Sequence, residues 1–322
     1  MKNSISTIIL NWNGGEITLE CLNSLSKQSR KPDEIIVVDN GSSDGSNKLI
    51  KAKFPDIKMI ELPKNLGFAG GVNVGIKASK SDFVMLLNND ATCEPTCIEA
   101  LLKTAEEHDA DITQAVILTD SGKKIDSIGD VYTMWGLPHP GQRNESSSRI
   151  PKEDRQIFSA SGGASMYKKS LFDEVGVFDE MFFAYYEDVD ISMRSQLRGK
   201  RIWLSSKAIV QHRMNHTANR MPGLGREMTI RNSIYLFWKV LPFPLILKVF
   251  PRFLYANWRM TFGTIVHGHP WRALRAQFTA LIHTPHLLIR RVKIQRSRKV
   301  SSSQLESLLS KDNPFKSVSK NP

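Results

Sequence analysis

Carboxylates and an imidazole spread along the chain have the types and settings for phosphate and proton chemistry. In FVMLLNND, residues 83–90, five apolar residues run into Asn88, Asn89 and Asp90. A strand buried on both faces reads as such a run, and its abrupt end places those polar groups on the rim of a sheet. In open α/β sheets ligands sit at that carboxyl-end rim. Asp90 could there hold a divalent cation and, through it, a diphosphate, since hard cations share oxygen ligands with phosphates; the same residues would also suit a plain turn. Glu187, Asp188 and Asp190 follow the aromatic lead-in Phe182, Phe183, Tyr185 and Tyr186. They could cap a helix and oppose its dipole, worth about 1 kcal/mol. Alternatively, an apolar wall would raise a carboxylate's pKa, as a general base requires. His212 closes the short apolar run from Ile209, with His216 just beyond.

The elements that must position these groups follow a regular rhythm. Ile5–Leu10 reads as a strand stopping at Asn11, and Glu34–Val38 as a second stopping at Asp39. A short third strand spans Met59–Leu62, Phe83–Leu87 is the fourth and Asp111–Leu118 the next. Between them, Leu19, Leu22 and Leu25 recur at helical spacing, DNGSSDGS (39–46) supplies turn and capping groups, and a helix starts at Pro95. Strands alternating with helices in this way predict a doubly wound, mostly parallel sheet, with Asn11, Asp39 and Asp90 along one crevice. NLGFAGGVNVGIKAS, residues 65–79, has glycines at 67, 70, 71 and 75. A dinucleotide fingerprint needs G-x-G-x-x-G directly after the first strand, so these glycines point instead to close backbone approach at a helix start suited to phosphate. Residues 119–156, polar and rich in Gly, Pro and Ser, read as an irregular loop over the site. A glycine pair, a strand near Ala164–Tyr167 and a helix through Val175 come next, and Val189, Met193 and Leu197 predict a helix from about Asp188.

The net charge of +12 over 322 residues is unevenly spread: residues 1–192 carry −9 and residues 193–322 carry +21. So basic a rear half suits an anionic surface. The start lacks an apolar core long enough for a secretory signal, and Cys21, Cys93 and Cys97 fit a reducing compartment. Cys93 and Cys97 could share a helix face, with His108 beyond, but this is not zinc-site spacing. From Asn232 onward aromatics and leucines alternate with Lys239, Lys248, Arg252 and Arg259, and the uncharged run Val240–Leu247 is far short of the about 20 residues a bilayer span needs. The segment reads as amphipathic helices lying on the membrane, with all-α packing and nucleic-acid binding as weaker competitors. Residues 300–322 read as a disordered tail.

Taken together, TIILNWNG, IIVVDNGSSDGS, NLGFAGGVNVGI, FVMLLNND, SGGASMYKKSLFDEVGVFDE, YYEDVDISMR and VQH resemble, over residues 5–215 and in order, the family 2 inverting glycosyltransferases of GT-A fold. The likeness is greatest to the rhamnosyltransferase-like branch of bacterial surface-polysaccharide synthesis. The resemblance implies that Asp39, with Asn11 nearby, reads the nucleobase and ribose, and that Asn65, Gly67, Phe68 and Asn89 contact the donor. It implies Asp90 and His212 as ligands of Mg²⁺ or Mn²⁺, with Asn88 standing where the family's metal motif has another acid. Asp188 would be the base that activates an acceptor hydroxyl.

The expected protein is a transferase domain over residues 1–230, a membrane-associating helical region over 231–299 and the tail. It would act on the cytoplasmic face of the inner membrane, moving a sugar, such as L-rhamnose from a dTDP- or UDP-linked donor, onto a lipid-linked saccharide of O-antigen or a related polymer. Its partners would be the nucleotide sugar, that acceptor and an anionic membrane, not nucleic acid. A non-catalytic binding protein on a degraded transferase fold is the rival that Asn88 favours. A nucleotidyltransferase would carry a basic, glycine-rich loop after the first strand, which NWNGGE lacks.

Overall fold

A computed structural model describes residues 3–119, 121–213 and 223–315; His216 lies outside them. The strands are β1 Ile5–Asn11, β2 Glu34–Asp39, β3 Lys58–Glu61, β4 Phe83–Asn88, β5 Ala91–Cys93, β6 Ile112–Thr119, β7 Lys124–Ser127, β8 Asp130–Tyr132, β9 Pro138–Pro140, β10 Arg155–Gln156, β11 Ala164–Lys168 and β12 Ile202–His212. The helices are α1 Gly15–Ser26, α2 Ser46–Lys53, α3 Gly67–Ala78, α4 Cys97–Glu107, α5 Leu171–Val175, α6 Glu187–Leu197, α7 Leu224–Val240, α8 Phe243–Val266, α9 Pro270–Arg296 and α10 Ser302–Ser307.

The main sheet runs β10-β12-β6-β11-β4-β1-β2-β3. β4, β1, β2 and β3 are mutually parallel, as are β6 and β12, while β11 is antiparallel to both of its neighbours. The strand order reverses between β1 and β4, so the crevice expected of a doubly wound sheet opens there. Register brings the polar strand ends level: Asn11 sits opposite Asp39, and Leu10 opposite Asn88. The apolar runs become strands because α1 and α4 cover one face and α3 and α5 the other, leaving Ile8, Ile9, Val37, Met85 and Leu86 buried. Gly71 and Gly75 let α3 lie directly on β1, since a Cβ at either would come within 2.5 Å of Leu10 or Ile8.

Two sequence expectations are corrected in this half. Cys93 ends β5 and Cys97 opens α4, so they share no helix; all three cysteines are buried. Residues 119–156 are not one irregular loop. They hold β7, paired with β6, and the small β8–β9 ribbon, hairpin strands of three or four residues, too short to show an alternating pattern of their own.

Behind the sheet, α7 is buried through Tyr235, Leu236, Phe237 and Val240, and its core includes Val189, Met193 and Leu197 of α6. α8 and α9 pack by one side only. Among the described residues no helix is long and apolar enough to cross a membrane. Residues 300–315 are structured, contrary to the expected tail. Ser301 and Gln304 form a reciprocal capping box, Leu305 and Leu309 reach the core, and Ser310 exchanges backbone bonds with Tyr132 and Met134. The serines that suggested disorder are the cap itself.

Candidate active site

A cavity of about 730 Å³ opens at the carboxyl ends of β1 and β4, within the size range of ligand pockets. Its wall includes Asn65, Gly67, Phe68, Asn89, Asp90, Asp188 and His212, so seven of the nine expected site residues meet there. Asn11 and Asp39 do not line it. Asn11 is buried, donating to Asp39 Oδ1 at 2.7 Å and to Ser46 Oγ at 2.9 Å, and accepting from Thr18 Oγ1 at 2.9 Å. Asp39, only 3% exposed, also accepts the Ser42 amide. Both are tied to the wall through Thr18, which accepts from Asn89 Nδ2 at 3.1 Å. Their polarity is consumed in holding the β1, β2 and α2 ends together.

His212 reaches Asp90 because β5 pairs antiparallel with β12, setting His212 opposite Ala91. Nε2 lies 3.2 Å from Asp90 Oδ1, and Nδ1 2.8 Å from Asp126 Oδ2. Arg143 binds Asp126 in turn through Nε at 2.9 Å. Burial would lower the His212 pKa, but the bonds to Asp126 and Asp90 outweigh it and lift the value to about 9. In its protonated form the imidazole bridges two carboxylates. A divalent ion fits here as the proton's replacement, with Asp126 orienting the ring so that Nε2 faces Asp90. Among the described residues no three His, Cys, Asp or Glu side chains group as metal ligands, so an ion held by Asp90 and His212 would need further oxygen ligands from outside the protein.

Across the cavity, Asp188 sits in the first turn of α6. Oδ2 accepts from Gly162 N at 3.0 Å and Oδ1 from Val189 N at 2.8 Å. Burial raises its pKa in spite of those amides. Glu187 is raised well above its ordinary value, by burial and then by Asp188, and Asp130 is pushed up to about 8 by burial and then by Asp188, against Arg143 and Ser127. Crowded carboxylates on a low-dielectric wall hold protons that isolated ones would release. Glu187 Oε2 and His139 Nε2, both on the wall, are buried with no protein partner, which leaves them for a ligand to satisfy.

The expected phosphate cradle at the start of α3 is corrected. Gly67 N is taken by Asn65 Oδ1 at 2.7 Å and Ala69 N by Phe183 O at 3.1 Å. Gly67, at φ +74°, is approached by protein: a Cβ would lie 2.4 Å from Phe183 O. Trp12, Asn40, Asp126, Asp130 and Arg143 also line the cavity and were not picked out from sequence. Only Asn40, beside Asp39 in the turn-forming run, carried a local signal; its Nδ2 binds Asn65 Oδ1 and its Oδ1 the Leu66 amide.

Residues 6–176 match the family described as Glycosyl transferase family 2. The chain belongs to that family. It is 27% identical over 263 residues to the N-acetylglucosaminyl-diphospho-decaprenol L-rhamnosyltransferase of Mycobacterium tuberculosis, covering 74% of this chain and 84% of that protein. It is 30% identical over 202 residues to the uncharacterized glycosyltransferase YwdF of Bacillus subtilis, covering 62% and 70%. Among solved structures it resembles residues 1–349 of S. aureus TarS in complex with UDP-GlcNAc, with TM-score 0.57, 17% identity and 91% of both chains covered. It also resembles GalNAc-T7 with UDP, GalNAc and Mn²⁺, with TM-score 0.59, 15% identity, and 74% of this chain but 48% of that one covered. The fold of this family 2 glycosyltransferase is therefore of the GT-A type, followed by the helical region α7–α9.

Proposed function

We propose that this glycosyltransferase moves a sugar from a nucleoside diphosphate donor to a hydroxyl of a lipid-linked saccharide, inverting the anomeric carbon. The observation that carries this reading is the meeting of Asp90 and His212 with Asp188 on the wall of one cavity. Asn65 and Phe68, beside Trp12, offer an amide and flat rings to the nucleotide, and Asn89 a further amide; Asn11 and Asp39 hold that wall from behind. Asp188, fixed by two backbone amides, takes the acceptor proton as the new bond to the anomeric carbon forms and the bond to the diphosphate breaks. A single displacement from the opposite face gives inversion. A Mg²⁺ or Mn²⁺ ion held by Asp90 and His212 would offset charge on the departing diphosphate. The Mycobacterium relative's name supports L-rhamnose as the sugar and a diphospho-lipid saccharide as the acceptor; we take the donor to be dTDP- or UDP-linked and the product to be O-antigen or a related polymer.

The exposed apolar faces of α8 and α9 support contact with a membrane surface, which we take to be the cytoplasmic one carrying the proposed acceptor. The test of the base is Asp188→Asn, assayed with dTDP-rhamnose and a prenyl-diphosphate-linked N-acetylglucosamine. We expect donor affinity within about twofold of wild type and transfer lowered by about 10³-fold, the order of general-base catalysis. Turnover at the wild-type rate would remove Asp188 from the mechanism.

A further inference from the structure

The loop that delivers Asp188 is built under strain. Phe183, Tyr185 and Tyr186 all have positive φ, between 65° and 70°, a region costly for side chains with a Cβ and one that persists only where surroundings dictate it. Tyr186 is the N-cap of α6, and Asp188 stands two residues on.

Two helices supply the constraint. From α3, Ala69 N donates to Phe183 O at 3.1 Å. From α7, the fully buried Asn232 turns its amide onto the loop: Nδ2 lies 2.6 Å from Tyr185 O, 2.8 Å from Ala184 O and 3.1 Å from Phe182 O. Its orientation is fixed from behind, because Oδ1 accepts from Arg231 Nε at 2.9 Å, leaving only N–H groups to face the carbonyls. Arg231 Nη2 shares Phe182 O at 2.7 Å. A buried donor converging on three carbonyls of one five-residue loop replaces the hydrogen bonds that a regular element would give that backbone.

We infer that Asn232 is a positioning residue for sugar transfer: the first of the rear helices is the second jaw of a clamp that holds loop 182–186, and so Asp188, in its working place. This rests on the reading of Asp188 as the base. It gives α7 a role at the reaction centre distinct from any attachment of α8 and α9 to a surface.

The experiment is a double-mutant cycle of Asn232→Ala and Asp188→Asn, with donor affinity and stoichiometry by calorimetry, and melting temperature measured alongside. We expect Asn232→Ala to lower kcat about 10²-fold, the cost of displacing a reacting group by about an ångström. Stoichiometry should stay near that of wild type and donor affinity within about twofold. In the Asp188→Asn background the same change should cost less than about threefold, since a displaced base is already missing. Asn232→Ser, which keeps one donor, should fall between Asn232→Ala and wild type and is read in its place if the alanine protein melts early. A merely structural role would show as donor stoichiometry falling in proportion to kcat, and would overturn the proposal. So would a full 10²-fold loss in the Asp188→Asn background. The base reading fails separately, if Asp188→Asn alone retains turnover.

Discussion

At the scale of the residue, the two walls of the cavity do opposite things with similar side chains. On one, Asp90 and Asp126 flank an imidazole, and Asp126 is held below its ordinary pKa, against burial, by His212 and Arg143. On the other, Asp188, Glu187 and Asp130 face each other, and all three pKa values rise. The first arrangement suits an ion and a diphosphate; the second suits a group that must accept a proton near neutral pH. Asp90→Ala is therefore expected to weaken binding of a nucleotide sugar about tenfold or more in the presence of Mn²⁺ and hardly at all in the presence of a chelator. Calorimetry under both conditions measures this. An affinity that responds to Mn²⁺ as strongly in the variant as in wild type would exclude Asp90 from the cation site.

At the scale of the element, the helical region is locked to the transferase sheet by buried charge. Lys239 of α7, only 2% exposed, lies 2.6 Å from Asp179 and 2.6 Å from Asp190, and Asp190 in turn lies 2.8 Å from Arg194. Arg290 of α9 also binds Asp179. Burial alone would raise the Asp179 pKa, but Lys239 and Arg290 carry it far below its ordinary value of 3.8. A depressed carboxylate stabilises the fold fully above the unfolded value and loses that contribution as pH falls towards the folded one. Lys239→Met should thus cost about 1–3 kcal/mol near neutrality, since Asp179 and Asp190 each lose a buried charged donor while Arg290 and Arg194 still pair them. The gap between variant and wild type should narrow below about pH 4 as Asp179 is protonated. Denaturant melts at pH 7 and pH 3.5 check both points, and a gap independent of pH would mean that the lysine acts through packing alone. This lock could not be read from sequence: Asp179, Asp190 and Lys239 are ordinary helix-end and helix-face charges until three elements meet. The buried parallel strands were legible because both their faces are covered, which writes an unbroken apolar run ending at the rim. Asp126 and Asp130 were not, since β7 and β8 are four and three residues long and have no pattern of their own. Asn11 and Asp39 were found at the right edge yet misjudged in exposure, because local sequence does not say whether a strand-end carboxylate faces a ligand or a neighbouring amide.

At the scale of the whole molecule, charge and apolar exposure are segregated together. Among the described residues, every exposed large apolar side chain except Tyr185 and Leu308 lies on α8 or α9, with Trp271 81%, Phe278 64% and Trp258 60% exposed. These helices belong to the half of the chain that carries +21, and Arg252 and Lys293 stand exposed on them. Apolar side chains set beside cations are the composition of a surface that inserts shallowly among anionic headgroups, with tryptophan at their depth. The protein is expected to co-sediment with phosphatidylglycerol vesicles and far less with phosphatidylcholine vesicles. Arg252→Gln should weaken binding about fivefold, from the roughly 1 kcal/mol that one cation contributes near such a surface. Replacing Trp258, Trp271 and Phe278 together by serine should abolish binding while leaving the melting temperature nearly unchanged, because side chains already in solvent add little to the fold. Vesicles of either kind binding equally, or the triple variant binding as wild type does, would detach these helices from the membrane. A concentration-dependent dimer that shields Trp258 and Trp271 without vesicle binding would make a second copy of the chain their cover. Since α7 packs between this surface and the loop carrying Asp188, the proposed membrane face and the cavity would be held apart by packed helices rather than by a flexible linker, and the lipid anchor of the proposed acceptor would have to reach the site along that fixed span.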